Sequence, residues 1–177
     1  MSLLEIVLTE YAPEDRVFLE QWWENADVLR FVHELKHQLI DRERGDLSGE
    51  MRVVGPKLRW MARDASSGTA VGFVSVEIIG QSGPRGKAGP VMPPFHGGVN
   101  IVVDPMRQCS GIGAATLKAL FDLPQLADVV KLSGTVDATN AASLGMLRKL
   151  GLTPDGPAVK GMYPFTVPGP AASQSGT

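Results

Sequence analysis

Cysteine occurs once, at Cys109, which excludes an internal disulfide framework and a zinc site built on a cysteine cluster. Positive charge is not in surplus: 17 Lys and Arg face 19 Asp and Glu, for a net charge of −2. That balance argues against nucleic-acid binding by bulk charge. No apolar run approaches the roughly 18–20 residues needed to span a bilayer. The opening MSLLEIVLTE carries acids and no basic segment, so no secretory signal is expected. What is present is a soluble balance, 44% hydrophobic and 20% charged over 177 residues, enough for one domain with a real core. The expectation is a cytoplasmic protein of bacterial style, one domain over residues 1–167, and a loose tail, PGPAASQSGT, over 168–177.

The charge is unevenly spread. Residues 1–50 hold 12 acids and 5 bases (−7), and residues 51–177 hold 7 acids and 12 bases (+5), which together give −2. Charge runs usually mark solvated helical faces. The sharper reading is an acidic side for a cationic acceptor and a basic side for an anionic cofactor.

Periodicity sets out the elements. Leu3–Glu10 reads as a strand, and Pro13-Glu14-Asp15 as a helix start, with proline and acids at the positive end. Residues 13–39 read as two short helices with a break near Asn25–Asp27, and the polar stretch 41–56 as a loop. Leu58–Asp64 and Thr69–Ile79 form a hairpin around Ala65–Gly68. Residues 80–98 hold six glycines and four prolines, which predicts an irregular connection or a lid. Then come a strand at Val99–Val103, a helix at Gly111–Phe121, a strand at Val129–Val136, a helix at Asn140–Leu150, and a last strand within 152–167. A central hairpin among strand–helix units predicts an α/β (α+β) fold with a mixed sheet.

Chemistry concentrates where the strand ending at Pro105 gives way to a helix opened by Gly111-Ile112-Gly113. Glycine admits dihedrals closed to other residues and lets a ligand approach the main chain. Unpaired N–H groups at a helix start suit a pyrophosphate. Such a turn is as often purely structural. A phosphate loop of the GxxxxGK[ST] kind is excluded because no lysine stands in place, and a dinucleotide fingerprint lacks its third glycine, Thr116 occupying that position. Coenzyme A is the pyrophosphate carrier that remains, with a general nucleotide-binding domain as the weaker reading.

Gln108-Cys109-Ser110-Gly111-Ile112-Gly113 resembles the Q/R-x-x-G-x-G/A signature of the GNAT family of N-acetyltransferases. About 27 residues on, Asn140-Ala141-Ala142-Ser143 leading to Lys149-Leu150-Gly151-Leu152 is similar to the family's second motif. The resemblance is good over residues 99–152. It is looser before that, where Trp22, Trp23, Asn25 and Arg59-Trp60 are similar to the ribosomal-protein and aminoglycoside branch. It implies a mostly antiparallel sheet in which the parallel strands 99–103 and 129–136 splay apart. By that resemblance Ile101, Val102 and Val103 pair with pantetheine, and amides of Gln108, Cys109, Ser110, Gly111, Ile112, Gly113 and Ala114 hold the pyrophosphate. Asn140 and Ser143 lie beside the thioester. The implied reaction is direct transfer from acetyl-CoA to a primary amine of a small molecule or peptide, with a main-chain N–H of Val102 or Val103 on the carbonyl oxygen.

The sequence departs from the family in two places. Leu147 stands where many members carry a tyrosine acid, which shifts that role to Ser143; the competing reading is a serine satisfying its own helix turn. No carboxylate lies in Gly97-Gly98-Val99-Asn100, where members often place a glutamate, so Glu77 and His96 are the candidate bases. Their bland readings are a solvent-facing strand residue and an exposed loop histidine. His33 and His37 stand four apart but lack any zinc-protease context, and no metal is expected. Trp22 and Trp23 read as core. No membrane or nucleic-acid partner is expected, and an edge strand near the C-terminus offers a homodimer contact. A catalytically silent acyl-CoA-binding module is the alternative function.

Overall fold

In a computed structural model, residues 5–32, 51–55, 57–83 and 89–173 are described. The organising element is β4 (Ala70–Ser82), whose near-continuous apolar sequence is buried over Ala70–Glu77. Burial on both faces explains that continuity. On one side β4 pairs antiparallel with β3 (Leu58–Asp64), which in turn pairs with β1 (Ile6–Glu10). On the other it pairs antiparallel with β5 (Val91–Val103), and its far end meets β2 (Met51–Val53). Beyond β5 lie β6 (Val129–Asp137), parallel to it, and β7 (Met162–Pro168), antiparallel to β6. The sheet is therefore mixed and mostly antiparallel, as the sequence predicts.

Period two divides β4 between two helical layers. Phe73 packs with Val102, Leu19, Trp22 and Val28 beneath α1 (Arg16–Trp23) and α2 (Ala26–Val32). Val74 and Val76 pack on the opposite face with Leu117 and Leu120, from α3 (Ile112–Ala119) and the turn after it. The helix α4 (Ala141–Lys149) lies against α3, so closely that a Cβ on Gly113 would stand 2.6 Å from Met146 Sδ. Asp15, at the entry to α1, ties the first layer to the sheet. It accepts from Arg63 Nη2 at 2.5 Å and from the Ala12 amide at 3.0 Å.

Three expectations are corrected. The stretch 41–56 ends not in loop but in β2, an edge strand that borrows Ile79–Gln81 as its template; residues 33–50, with His33 and His37, lie outside the described residues. The glycine- and proline-rich 80–98 is strand at both ends, since β4 runs to Ser82 and β5 starts at Val91, while 84–88 lie outside the described residues. Its prolines fit because the β4–β5 register jumps from Ile79↔His96 to Gln81↔Met92. Pro93 and Pro94 fall in that bulge, where no ladder N–H is required. Gly80 faces it, and a Cβ there would meet Met92 O at 2.7 Å. Finally, the expected tail from 168 begins with an ordered turn, α5 (Pro170–Ser173), with Gly169 packed against Val129. Only 174–177 of it lie outside the described residues.

Candidate functional site

The parallel ladder between β5 and β6 runs from Phe95↔Val129 to Gly98↔Ser133 and then stops. Each strand stays bonded on its outer side, β5 to β4 as far as Val103 and β6 to β7 as far as Asp137. The inner edges, Val99–Val103 and Gly134–Asp137, therefore diverge and leave their main-chain polar groups turned toward each other unpaired. Buried backbone groups require partners, so an opening of this kind is a place for a ligand's own amides. A cavity of about 910 Å³ fills the divergence. Its walls are Val99–Val102 and Ser133–Asp137, its cover comes from α2 at Leu29–Val32, and its side from α4 at Asn140, Ser143, Met146 and Leu147.

The loop after β5 sits next to it. Asp104 accepts from the Met106 amide at 2.9 Å and fixes a short 3-10 turn over Pro105–Arg107. Gln108 is extended, Cys109 has φ 62° and Gly111 has φ 89°. Two left-handed residues bring the chain sharply onto α3. Ser110 Oγ donates to the Arg107 carbonyl inside the loop. Gly111 is the N-cap of α3, no side chain caps that helix, and a Cβ on Gly111 would meet nothing within 4 Å. The first turn of α3 thus starts without a side-chain cap, a pattern that fits an anion. Gln108, Cys109, Ser110 and Gly111 are exposed, while Ile112 and Gly113 are buried in the packing of α3. None of these loop residues lines the cavity; Met146, which does, abuts Gly113 from α4.

Asn140 caps α4, its Oδ1 accepting from the Ser143 amide at 3.1 Å. That commits the carbonyl end of Asn140, which is also part of the cavity wall. Ser143 is half-buried in the cavity wall. Leu147, one turn on, is buried and apolar, as the departure from the tyrosine motif implied.

The two candidate bases are placed differently from their bland readings. Glu77 is 7% exposed, pairs in register with Gly98, the last residue before the strands part, and has Lys57 Nζ 3.9 Å from its Oε1. His96 lies within β5, not in a loop, and is half-buried beside Lys131. Burial first, and Lys131 second, hold its imidazole below the ordinary histidine value of 6.5. Neither residue lines the cavity.

Polar cavity residues that sequence reading missed are Asn100, Arg30, Ser133, Thr135 and Asp137. Arg30 Nη2 donates to Thr139 Oγ1 at 3.1 Å, reaching from α2 across to the β6–α4 turn. The Thr139 hydroxyl and amide both donate to Asp137 Oδ1, and those bonds hold the Asp137 carboxyl below its ordinary value. No local pattern announces these contacts; they arise from tertiary register. Among the described residues the cavity walls carry one charge of each sign, Arg30 and Asp137. Among the described residues no three His, Cys, Asp or Glu gather as a metal site. Among the same residues no helix is long and apolar enough to cross a membrane.

Comparison with known proteins gives a consistent picture. The model of the acetyltransferase (GNAT) family matches residues 11–152. An aminoglycoside N(6')-acetyltransferase from Legionella pneumophila superposes with TM-score 0.65 at 10% identity, over 99% of this chain and 98% of that one. A spermidine N-acetyltransferase from Vibrio cholerae, solved with CoA and spermine, gives 0.63 at 13% identity, over 96% and 98%. A domain from Methanocaldococcus jannaschii gives 0.63 at 14% identity, over 94% and 99%. At these identities the likeness is one of fold. No curated protein matches the sequence.

Proposed function

The chain belongs to the acetyltransferase (GNAT) family, and from that premise we propose that it carries an acetyl group directly from acetyl-CoA to a primary amine of a small acceptor. The observation that carries this reading is the parting of β5 and β6 after Gly98↔Ser133, beside an uncapped helix start at Gly111. Unpaired strand edges fit the amides of a pantetheine arm, and the bare first turn of α3 fits a pyrophosphate. Bound acetyl-CoA supplies an activated carbonyl and a thiolate leaving group.

The chain's own groups do the rest. The amides of Gln108–Ala114 bind the diphosphate, and Ile101–Val103 align the arm. A main-chain N–H of Val102 or Val103 donates to the carbonyl oxygen as negative charge builds there. Ser143, in the cavity wall, donates a hydrogen bond to the departing sulfur and so stabilises the thiolate. Glu77, at the row where the strands part, takes the amine proton through water, with His96 as the second candidate. Positioning supplies much of the rate. The setting we assign is the cytoplasm. The spermine and aminoglycoside relatives support a small-molecule acceptor.

The buried Leu147, in place of a tyrosine acid, favours one rival reading, a silent acyl-CoA-binding module. Thiol release from acetyl-CoA across an amine panel separates the two. Saturable, acceptor-dependent release is the expected result; tight cofactor binding without release on any amine would make the module the better account.

A further inference from the structure

Four buried side-chain atoms have no hydrogen-bond partner: Trp23 Nε1, Arg59 Nε, Ser75 Oγ and Thr116 Oγ1. Thr116 lies within α3. The other three belong to the opposite layer. Arg59 stands directly across from Ser75 in the β3–β4 ladder, and Ser75 directly across from Asn100 in the β4–β5 ladder. Directly opposed residues have Cβ atoms roughly 5 Å apart. Arg59, Ser75 and Asn100 therefore form one polar row across three strands, one row removed from Phe73↔Val102 and on the same face. Trp23 packs against the core of that face from α1. Asn100, at the end of the row, is part of the cavity wall, and Ser75 and Arg59 lie one and two strands behind it.

The chemistry of the row is one-sided. Ser75 is 0% exposed, yet its hydroxyl is unpaired. Arg59 Nε is likewise buried without a hydrogen-bond partner, whereas in the next row Lys57 stands 3.9 Å from the Glu77 carboxylate. Buried unpaired polar atoms are costly and rare, and a cationic one most of all. Guanidinium and indole N–H groups can only donate. An ammonium cannot satisfy them, and an acceptor-only, planar, anionic group can.

We propose that Arg59, across from Ser75 in the ladder, is a specificity residue that grips a carboxylate of the acceptor, so that the chain's preferred acceptors are amines that also bear a carboxylate. Asn100 stands between that grip and the parted strands where the amine reacts. The inference rests on the acetyltransferase reading and sharpens its acceptor class.

The test is calorimetric titration of the CoA-saturated protein with pairs that differ only by a carboxylate: ornithine against putrescine, and lysine against cadaverine. The expected result is at least tenfold tighter binding of the amino acid in a pair. Arg59→Met should reduce that preference to within twofold and Arg59→Lys should restore part of it, both with CoA affinity unchanged. Ser75→Ala should weaken the amino acid severalfold and leave the diamine alone. Equal binding within both pairs, or no binding of either member, overturns the proposal while intact CoA binding leaves the transferase reading standing. Loss of CoA affinity in Arg59→Met would likewise overturn it, by giving Arg59 a cofactor or structural role. A wild-type protein that does not bind CoA removes the reading beneath it.

Discussion

The two ladders that flank β4 and β5 are built for opposite ends. Between β3 and β4 the pairing runs from Leu58↔Val76 to Arg63↔Ala70, and the central residues of both strands are buried. Between β5 and β6 four pairs form and then the strands separate. The first ladder satisfies its backbone internally and is a platform. The second stops after four pairs and is the proposed site. The contrast teaches that a main-chain binding cleft is made by stopping a ladder, not by adding special side chains, and that the rigid ladder beside it keeps the gap open.

That contrast can be broken from either side. The largest effect is expected on the platform. Asp15→Ala would leave Arg63, 26% exposed at its side chain, without the carboxylate 2.5 Å away. A loss of about 3 kcal/mol follows, at the low end for a buried pair because Arg63 is partly solvated. Urea unfolding measures it, and acetyl-CoA affinity should not change. Gly97→Val comes next. Gly97 lies in the last paired rows, and a Cβ there would stand 2.5 Å from Leu132 Cδ2 and 3.0 Å from Val76 Cγ1. Overpacking of that kind costs roughly 1–3 kcal/mol. A Tm lowered by several degrees is the readout.

On the site side, Ser143→Ala should leave Tm in place and lower the turnover rate about tenfold, equivalent to about 1.4 kcal/mol of barrier. A rate within twofold of wild type would remove Ser143 from the chemistry. The smallest effect concerns pH. His96 is held below 6.5 in the folded chain, so between its folded and unfolded values the unfolded chain binds more protons. Stability should then decline as pH falls from 6.5 through that window, and be level above it. Unfolding midpoints taken across pH 5–7 should show a shallower decline in His96→Gln.

Much of this was legible before any coordinates. Glycines at 111 and 113, an asparagine cap at 140 and the Leu58–Asp64 strand are local signals, and each element lies where those residues put it. The reason is physical: caps, helix starts and hairpin strands are decided by neighbours in sequence. The edges of β5 and β2 were not legible. Pro93 and Pro94 read as breakers, and only the register jump opposite Gly80 makes room for them in a strand. Met51–Val53 is a strand only because β4 extends past β3 and offers a free edge. The polar row of Arg59, Ser75 and Asn100 is likewise invisible in sequence, because its members are 16 and 25 positions apart and meet only through two registers. Glu77 and His96 could be named from sequence, but their burial in the ladder could not.

The central claim is that the bare start of α3 and the parted strands hold acetyl-CoA. It is tested most directly by calorimetric titration of acetyl-CoA into the wild type and into Gly111→Asp, with both unfolding transitions recorded. Gly111 sits at φ 89° over open space, so an aspartate there adds a negative charge and a strained backbone where the pyrophosphate would lie. The account predicts micromolar binding by the wild type and a loss of roughly 100-fold, about 2.7 kcal/mol, in the variant. No binding by the wild type, or equal binding by a folded variant, would contradict it and return residues 103–116 to an ordinary strand, turn and helix.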